Sequence, residues 1–125
     1  MDKKAFDALF QRYTTAVTAS DVEAIVALYA RDASIQIPAN DPAREGIDAI
    51  DDFYRHNELA ESLRVVGPVC AAGPEAAVPM IARVRRDGVL MELDVIDVAK
   101  VDAQGRVLSM RAFFDVEGGR IVDGG

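Results

Sequence analysis

The stretch AAVPMIARVRRDGVLMELDVIDVAKV, Ala76 to Val101, decides the fold. Apolar residues dominate on both sides of Asp87-Gly88, a dipeptide suited to a tight hairpin turn. The segment therefore reads as two long antiparallel strands, Ala76 to Arg86 and Val89 to Val101. Its second half contains LDVIDV, Leu93 to Val98, with two carboxylates inside an apolar run. Side chains alternate along a strand, so Asp94 shares a face with Glu92, whereas Asp97 falls with Met91, Leu93, Val95 and Ala99. Asp97 is the anomaly. A carboxylate among apolar neighbours needs a partner or must keep its proton through a raised pKa.

Outward from this hairpin, the turn Asp102-Ala103-Gln104-Gly105 leads to a further strand, Arg106 to Val116, and Leu63 to Ala72 reads as a strand before it. The first half of the chain is helical. Phe6, Leu9, Phe10, Tyr13 and Val17 recur at helical spacing between Lys3 and Thr18, which puts Tyr13 on a buried face. Ser20-Asp21-Val22-Glu23 is a capping-box start for a second helix carrying Val22, Ile25, Val26, Leu28 and Tyr29 and ending near Ala30. Ala33 to Ile37 is a short strand, broken off by Pro38-Ala39-Asn40-Asp41-Pro42. After Gly46, a third helix carries Ile47, Ile50, Phe53, Tyr54 and Leu59 on its apolar side. Helices first and sheet after is an α+β pattern: three N-terminal helices cover one face of a curved antiparallel sheet and leave a cone-shaped cavity between them.

The 125 residues suit one domain, residues 1–125, and a hydrophobic fraction of 50% suits a packed core. A net charge of −7 argues against nucleic acid or an anionic membrane as partner, because both require clustered Lys and Arg. Arg83, Arg85 and Arg86 are expected on a solvated strand edge. The lone cysteine, Cys70, excludes an internal disulfide and is expected as core or strand filler. The N-terminus has no signal-peptide h-region and no apolar run approaches membrane-spanning length, so a soluble cytoplasmic protein is expected.

Neither a metal nor another cofactor is expected. His56 is the only histidine, reads as a surface residue, and has no histidine or cysteine cluster beside it. A phosphate loop, a nucleophile elbow and a Cys/His pair are all missing from the sequence, which leaves phosphoryl and acyl transfer without support. Tyrosines on apolar helix faces are commonly core residues with a satisfied hydroxyl. From the residues alone, Asp97 suits equally a structural bond to a backbone amide and a functional role.

A resemblance shifts that balance. Tyr13 in Gln11-Arg12-Tyr13, the run Asp21 to Ala33, Phe53-Tyr54, LDVIDV and the run Gly105 to Phe114 together resemble bacterial ketosteroid isomerase (steroid delta-isomerase), of the nuclear transport factor 2-like fold. The match is nearly collinear from about residue 8 to residue 117. The resemblance implies a conical α+β barrel, commonly a homodimer through its sheet, with an apolar pocket for a steroid or phenol-like small molecule. Members of that family move a β,γ double bond of a 3-oxo steroid into conjugation. An aspartate shuttles a carbon-bound proton, while a tyrosine and a protonated aspartate hold the dienolate oxygen, a known case of a carboxylic acid kept neutral in order to donate. Carried over by motif, Tyr13 and Asp97 are the oxyanion donors. Tyr54, and behind it Tyr29, match the tyrosines bonded in series to the first. Val17, Phe53, Met80, Val95, Met110 and Phe114 are the expected pocket walls.

One position departs from the family. Its proton-shuttling aspartate stands directly before a proline at the end of the first strand, and here Ser34-Ile35-Gln36-Ile37-Pro38 puts Ile37 in that place. A positioned base is worth roughly a hundred- to ten-thousand-fold in rate. Three readings follow. The base lies elsewhere, with Asp41, Glu45 and Asp115 as candidates by position; or the site runs another reaction that activates a carbonyl or an epoxide; or it binds a hydrophobic small molecule without turnover.

Overall fold

In the computed structural model, which describes residues 1–122, three helices lie against one curved sheet. Helix α1, Lys3–Thr18, is capped by Asp2, whose carboxylate accepts from the Ala5 amide at 2.8 Å. Helix α2, Val22–Val26, is capped by Asp21 in the same way. Strand β1, Tyr29–Gln36, follows, then the short β2, Arg44–Glu45, and helix α3, Ile47–His56. Gly46 enters α3 at a φ of +90°, a conformation that disfavours side chains. The remaining strands are β3 Ser62–Val65, β4 Cys70–Ala72, β5 Glu75–Arg86, β6 Val89–Val101, β7 Val107–Phe113 and β8 Arg120–Ile121.

The strand order is β2-β1-β7-β6-β5-β3, with β4 paired to β5 and β8 to β6. The fold is the expected α+β cone, and several expected elements need correction, among them the third helix, which ends at His56 and leaves Leu59 in the loop beyond it. The sheet is mixed, because β1 and β7 pair in parallel while the other pairs are antiparallel. Helix α2 stops at Val26, not near Ala30, so Tyr29 opens a strand instead of closing a helix. The backbone is redirected there by pairing: the Val107 amide donates to the Leu28 carbonyl at 2.9 Å. The segment Leu63 to Ala72 is two strands, β3 and β4, separated by Gly67-Pro68. Pro68 has no N–H for a ladder, and a side chain on Gly67 would meet Pro79 Cγ at 2.6 Å. Strand β7 ends at Phe113, three residues before Val116.

Of the three arginines expected on a strand edge, Arg83 is paired on both sides, opposite Ser62 of β3 and Glu92 of β6, whereas the β3 ladder ends there and Arg85 and Arg86 pair with β6 alone. Arg83 bonds Glu92 at 3.0 Å, Arg85 pairs with Glu61, and Arg86 donates to the carbonyls of Val116 and Gly118. Cys70 is not in the core: it opens β4 and is exposed. His56 is exposed and pairs with Asp52 at 2.9 Å. No helix among the described residues is long and apolar enough to cross a membrane.

The core lies between α1 and the inner sheet face. Phe6, Leu9 and Phe10 from α1 meet Val78 and Met80 of β5, Ala99 of β6, and Met110 of β7 in one buried cluster. On β6 the alternation holds through the decisive stretch, with Leu93, Val95, Asp97 and Ala99 buried and Asp94 and Ile96 exposed. The outer face of the same sheet is therefore partly apolar, with Ile96 and its cross-strand neighbour Phe113 exposed by 49% and 43%.

Candidate active site

Helical spacing brings Tyr13, on the inner face of α1, toward Tyr54 on the inner face of α3. The two hydroxyls are 3.0 Å apart. Tyr29, at the start of β1, reaches the same Tyr54 hydroxyl at 2.7 Å. The three phenols are thus one chain with Tyr54 in the middle, and all three are buried. Each hydroxyl carries one proton to donate. If an oxygen in the cavity accepts from Tyr13, the sense of the chain is fixed: Tyr29 donates to Tyr54, Tyr54 to Tyr13, and Tyr13 to that oxygen. Bonds in such a series polarise one another and strengthen the terminal donor.

Asp97 is 2% exposed. Its cross-strand neighbours are Val78 on β5 and Ala112 on β7, both buried and apolar, so the sheet encloses the carboxyl in hydrocarbon. Among the described residues no hydrogen-bond donor or cation pairs with it, and none of the fully enclosed side-chain polar atoms lacks a partner. Its oxygens therefore face cavity space. Burial pushes its pKa from the usual 3.8 up to about 7. Burial also raises Tyr13, with the Asp97 charge adding to it and the hydroxyls of Tyr54 and Tyr29 partly offsetting it. Tyr29 and Tyr54 are raised as well, burial again being the largest cause and Tyr13 the next. At neutral pH all three phenols keep their protons and serve as donors.

Tyr13, Tyr54 and Asp97 meet on one cavity of about 240 Å³. Of the walls expected from the sequence, Val17, Phe53, Val95 and Phe114 line it. Met80 and Met110 do not; each is 1% exposed and fills the closed core. Alternation assigned them the right face of the sheet but not the depth along the strand. Leu59, Ala60, Leu63, Ala82, Val84, Leu93 and Ala112 add to the apolar lining. Arg44 stacks over the Phe53 ring at 5.0 Å and holds that wall in place.

Ile37 also lines the cavity, so an apolar side chain occupies the wall where an acidic one was sought. Asp41, Glu45 and Asp115 lie outside the lining and are exposed. The Asp115 carboxylate instead accepts from the Glu117 amide at 3.1 Å. Glu58, which the sequence did not single out, does line the cavity. It sits in the loop after α3, outside any periodic pattern. A roomier groove of about 500 Å³ between α1 and β3 is shallow, and Arg64 is the one ionisable residue on it, so it offers no comparable chemistry.

The arrangement is an apolar chamber with two proton donors on its lining, Tyr13 and Asp97, near enough for the Asp97 charge to act on Tyr13. Such donors can hold an oxygen on which negative charge develops, as in an enolate.

The profile of the SnoaL-like domain matches residues 10–124. A steroid Delta-isomerase of Nocardioides simplex is 33% identical over 103 residues, covering 82% of this chain and 84% of that protein. Among solved structures, SalBIII, described as an epoxide hydrolase/cyclase-like enzyme in pyran ring formation in polyether salinomycin, superposes with a TM-score of 0.84 at 24% identity. The superposition covers 97% of this chain and 98% of that one.

Proposed function

Since the chain belongs to the SnoaL-like domain family of the nuclear transport factor 2-like superfamily, we propose that it is a cytoplasmic enzyme of the ketosteroid isomerase type. It polarises the carbonyl of a hydrophobic cyclic enone, such as a 3-oxo steroid, and moves a β,γ double bond into conjugation. The observation that carries this reading is the convergence on one apolar cavity of the Tyr29–Tyr54–Tyr13 relay and an Asp97 that has no partner of its own. A buried carboxyl without a partner is costly to the fold, and its use is to donate to something that enters the cavity.

The ketone enters oxygen first, and its oxygen accepts from Tyr13 and from protonated Asp97. Loss of a proton from the carbon between carbonyl and alkene moves an electron pair onto that oxygen as a dienolate. The two donors strengthen as the charge grows, so they stabilise the transition state more than the ground state. Reprotonation at the far carbon gives the conjugated ketone.

The resemblance also implies a homodimer, and the exposed Ile96–Phe113 pair on the outer sheet face is the surface we assign to it. Molecular mass in solution measures it.

The function is tested with a β,γ-unsaturated 3-oxo steroid, following the absorbance of the conjugated enone, and with a phenolic steroid as equilibrium ligand. The expected result is turnover, together with phenol binding that is lost on Tyr13→Phe. Phenol binding without any conjugated product would instead favour the reading of a small-molecule binder, which the apolar Ile37 on the cavity wall suits. Affinity unchanged in both Tyr13→Phe and Asp97→Asn would remove the oxyanion site altogether.

A further inference from the structure

Apart from Tyr13, Tyr54 and Asp97, the cavity lining contains one ionisable side chain, Glu58. The three others belong to the donor end. A group that holds the oxygen cannot at the same moment take the proton from carbon, so the donor end leaves the proton without an acceptor. Glu58 is exposed, in the loop between α3 and β3. Among the described residues its carboxylate has neither an ion pair nor a hydrogen bond. The nearby cations are committed elsewhere: Arg85 to Glu61, and Arg86 to the carbonyls of Val116 and Gly118. Glu58, Leu59, Val84, Leu93 and Phe114 also border a surface cleft that holds Glu61, Arg85 and Arg86, so the cavity opens to solvent on the side of Glu58.

Resting on the function proposed above, we propose that Glu58 is the proton-transferring carboxylate of this site, moved from the end of β1 to the loop after α3. A Glu58 oxygen takes the proton from the carbon between carbonyl and alkene. The C–H pair becomes the new C=C bond of the dienolate, and the carbonyl π pair moves onto the oxygen held by Tyr13 and Asp97. Glu58 then returns the proton to the far carbon, the pair on oxygen re-forms the carbonyl, and no external oxidant or reductant is needed. A base at the opening and donors at the closed end select a substrate whose carbonyl enters first and whose acidic carbon stays nearer the mouth.

The test compares Glu58→Gln with the unmodified protein, using the same 3-oxo steroid and the phenolic steroid. Glu58→Gln is expected to lower kcat by roughly a hundred- to ten-thousand-fold with phenol affinity kept within about twofold, since the residue has no structural partner to lose. Adding Ile37→Asp to Glu58→Gln restores part of the rate, because the donor end is intact. Asp41→Asn, Glu45→Gln and Asp115→Asn leave the rate unchanged. Full turnover in Glu58→Gln would overturn the proposal and leave the isomerase reading standing. Turnover seen with Ile37→Asp but not in the unmodified protein would do the same to Glu58 while supporting the oxyanion site. Absence of both turnover and Tyr13-dependent phenol binding would remove both.

Discussion

Replacing Asp97 by Asn should stabilise the protein, and by an amount that grows with pH. The Asp97 pKa is about 7 in the fold against an ordinary 3.8. Below about pH 4 the side chain is protonated in both folded and unfolded chains and costs nothing. Between those values the folded state holds a proton that the unfolded state has released, so stability falls as pH rises. Above about pH 7 the penalty is complete. About three pH units at 1.36 kcal/mol each amounts to about 4 kcal/mol. Asn has nearly the same shape and no charge to bury, and there is no protein hydrogen bond at this position for it to break.

Urea unfolding of both proteins at pH 4, 6 and 8 measures this. The variant and the parent should have nearly equal midpoints at pH 4. At pH 8 the variant should lead by roughly 2 M, for a slope of about 2 kcal/mol per molar urea. Every other titrating group is common to both chains and cancels in the difference. A stability difference constant to within about 0.5 kcal/mol across that range would refute the reasoning, because it would mean that Asp97 titrates normally in the fold.

Affinity for a cyclic enone should fall as pH rises through about 7, by up to tenfold per unit, because only protonated Asp97 donates; calorimetric titration at pH 6 and pH 8.5 measures it, and Asp97→Asn should flatten the dependence. Tyr54→Phe removes both bonds of the relay, at 3.0 and 2.7 Å, and leaves two buried phenols without that partner. It should cost about 1–3 kcal/mol of stability by chemical denaturation and weaken phenol binding without abolishing it. Met80→Ala should lower stability by about 2–5 kcal/mol, since it opens a hole in the closed core. Phe114→Ala, on the cavity wall, should act mainly on the dissociation constant of the phenolic steroid.

Local periodicity fixed only which way single elements face; that Tyr13, Tyr54 and Asp97 belong to one site was what the resemblance implied. Tyr13 and Tyr54 were legible because an apolar stripe at helical spacing fixes which way a helix faces, and Asp97 because alternation fixes the face of a strand. Tyr29 was placed on a helix because Val22 to Tyr29 has helical spacing. Its true position depends on a parallel ladder to Val107, a residue distant in sequence, and such pairing overrides local propensity. The same limit separates Met80 from Val95. They are cross-strand partners on the inner face, yet one is in the closed core and the other on the cavity wall. Glu58 lies in a loop, where no period exists to point it anywhere.

Asp97 posed a choice between a structural bond and a function, and the sequence could not decide it. A structural carboxyl would have an amide, a helix terminus or a guanidinium to satisfy it. The sheet supplies Val78 and Ala112 instead, and the sheet arginines Arg83, Arg120 and Arg85 pair with Glu92, Asp94 and Glu61. Folding gains nothing from the group at neutral pH and, by the difference in pKa, loses several kcal/mol. Val at the same position would pack against the same neighbours without that loss. What Val could not do is donate a proton to an oxygen beside Tyr13, so the stability given up at Asp97 makes sense only through whatever enters the cavity.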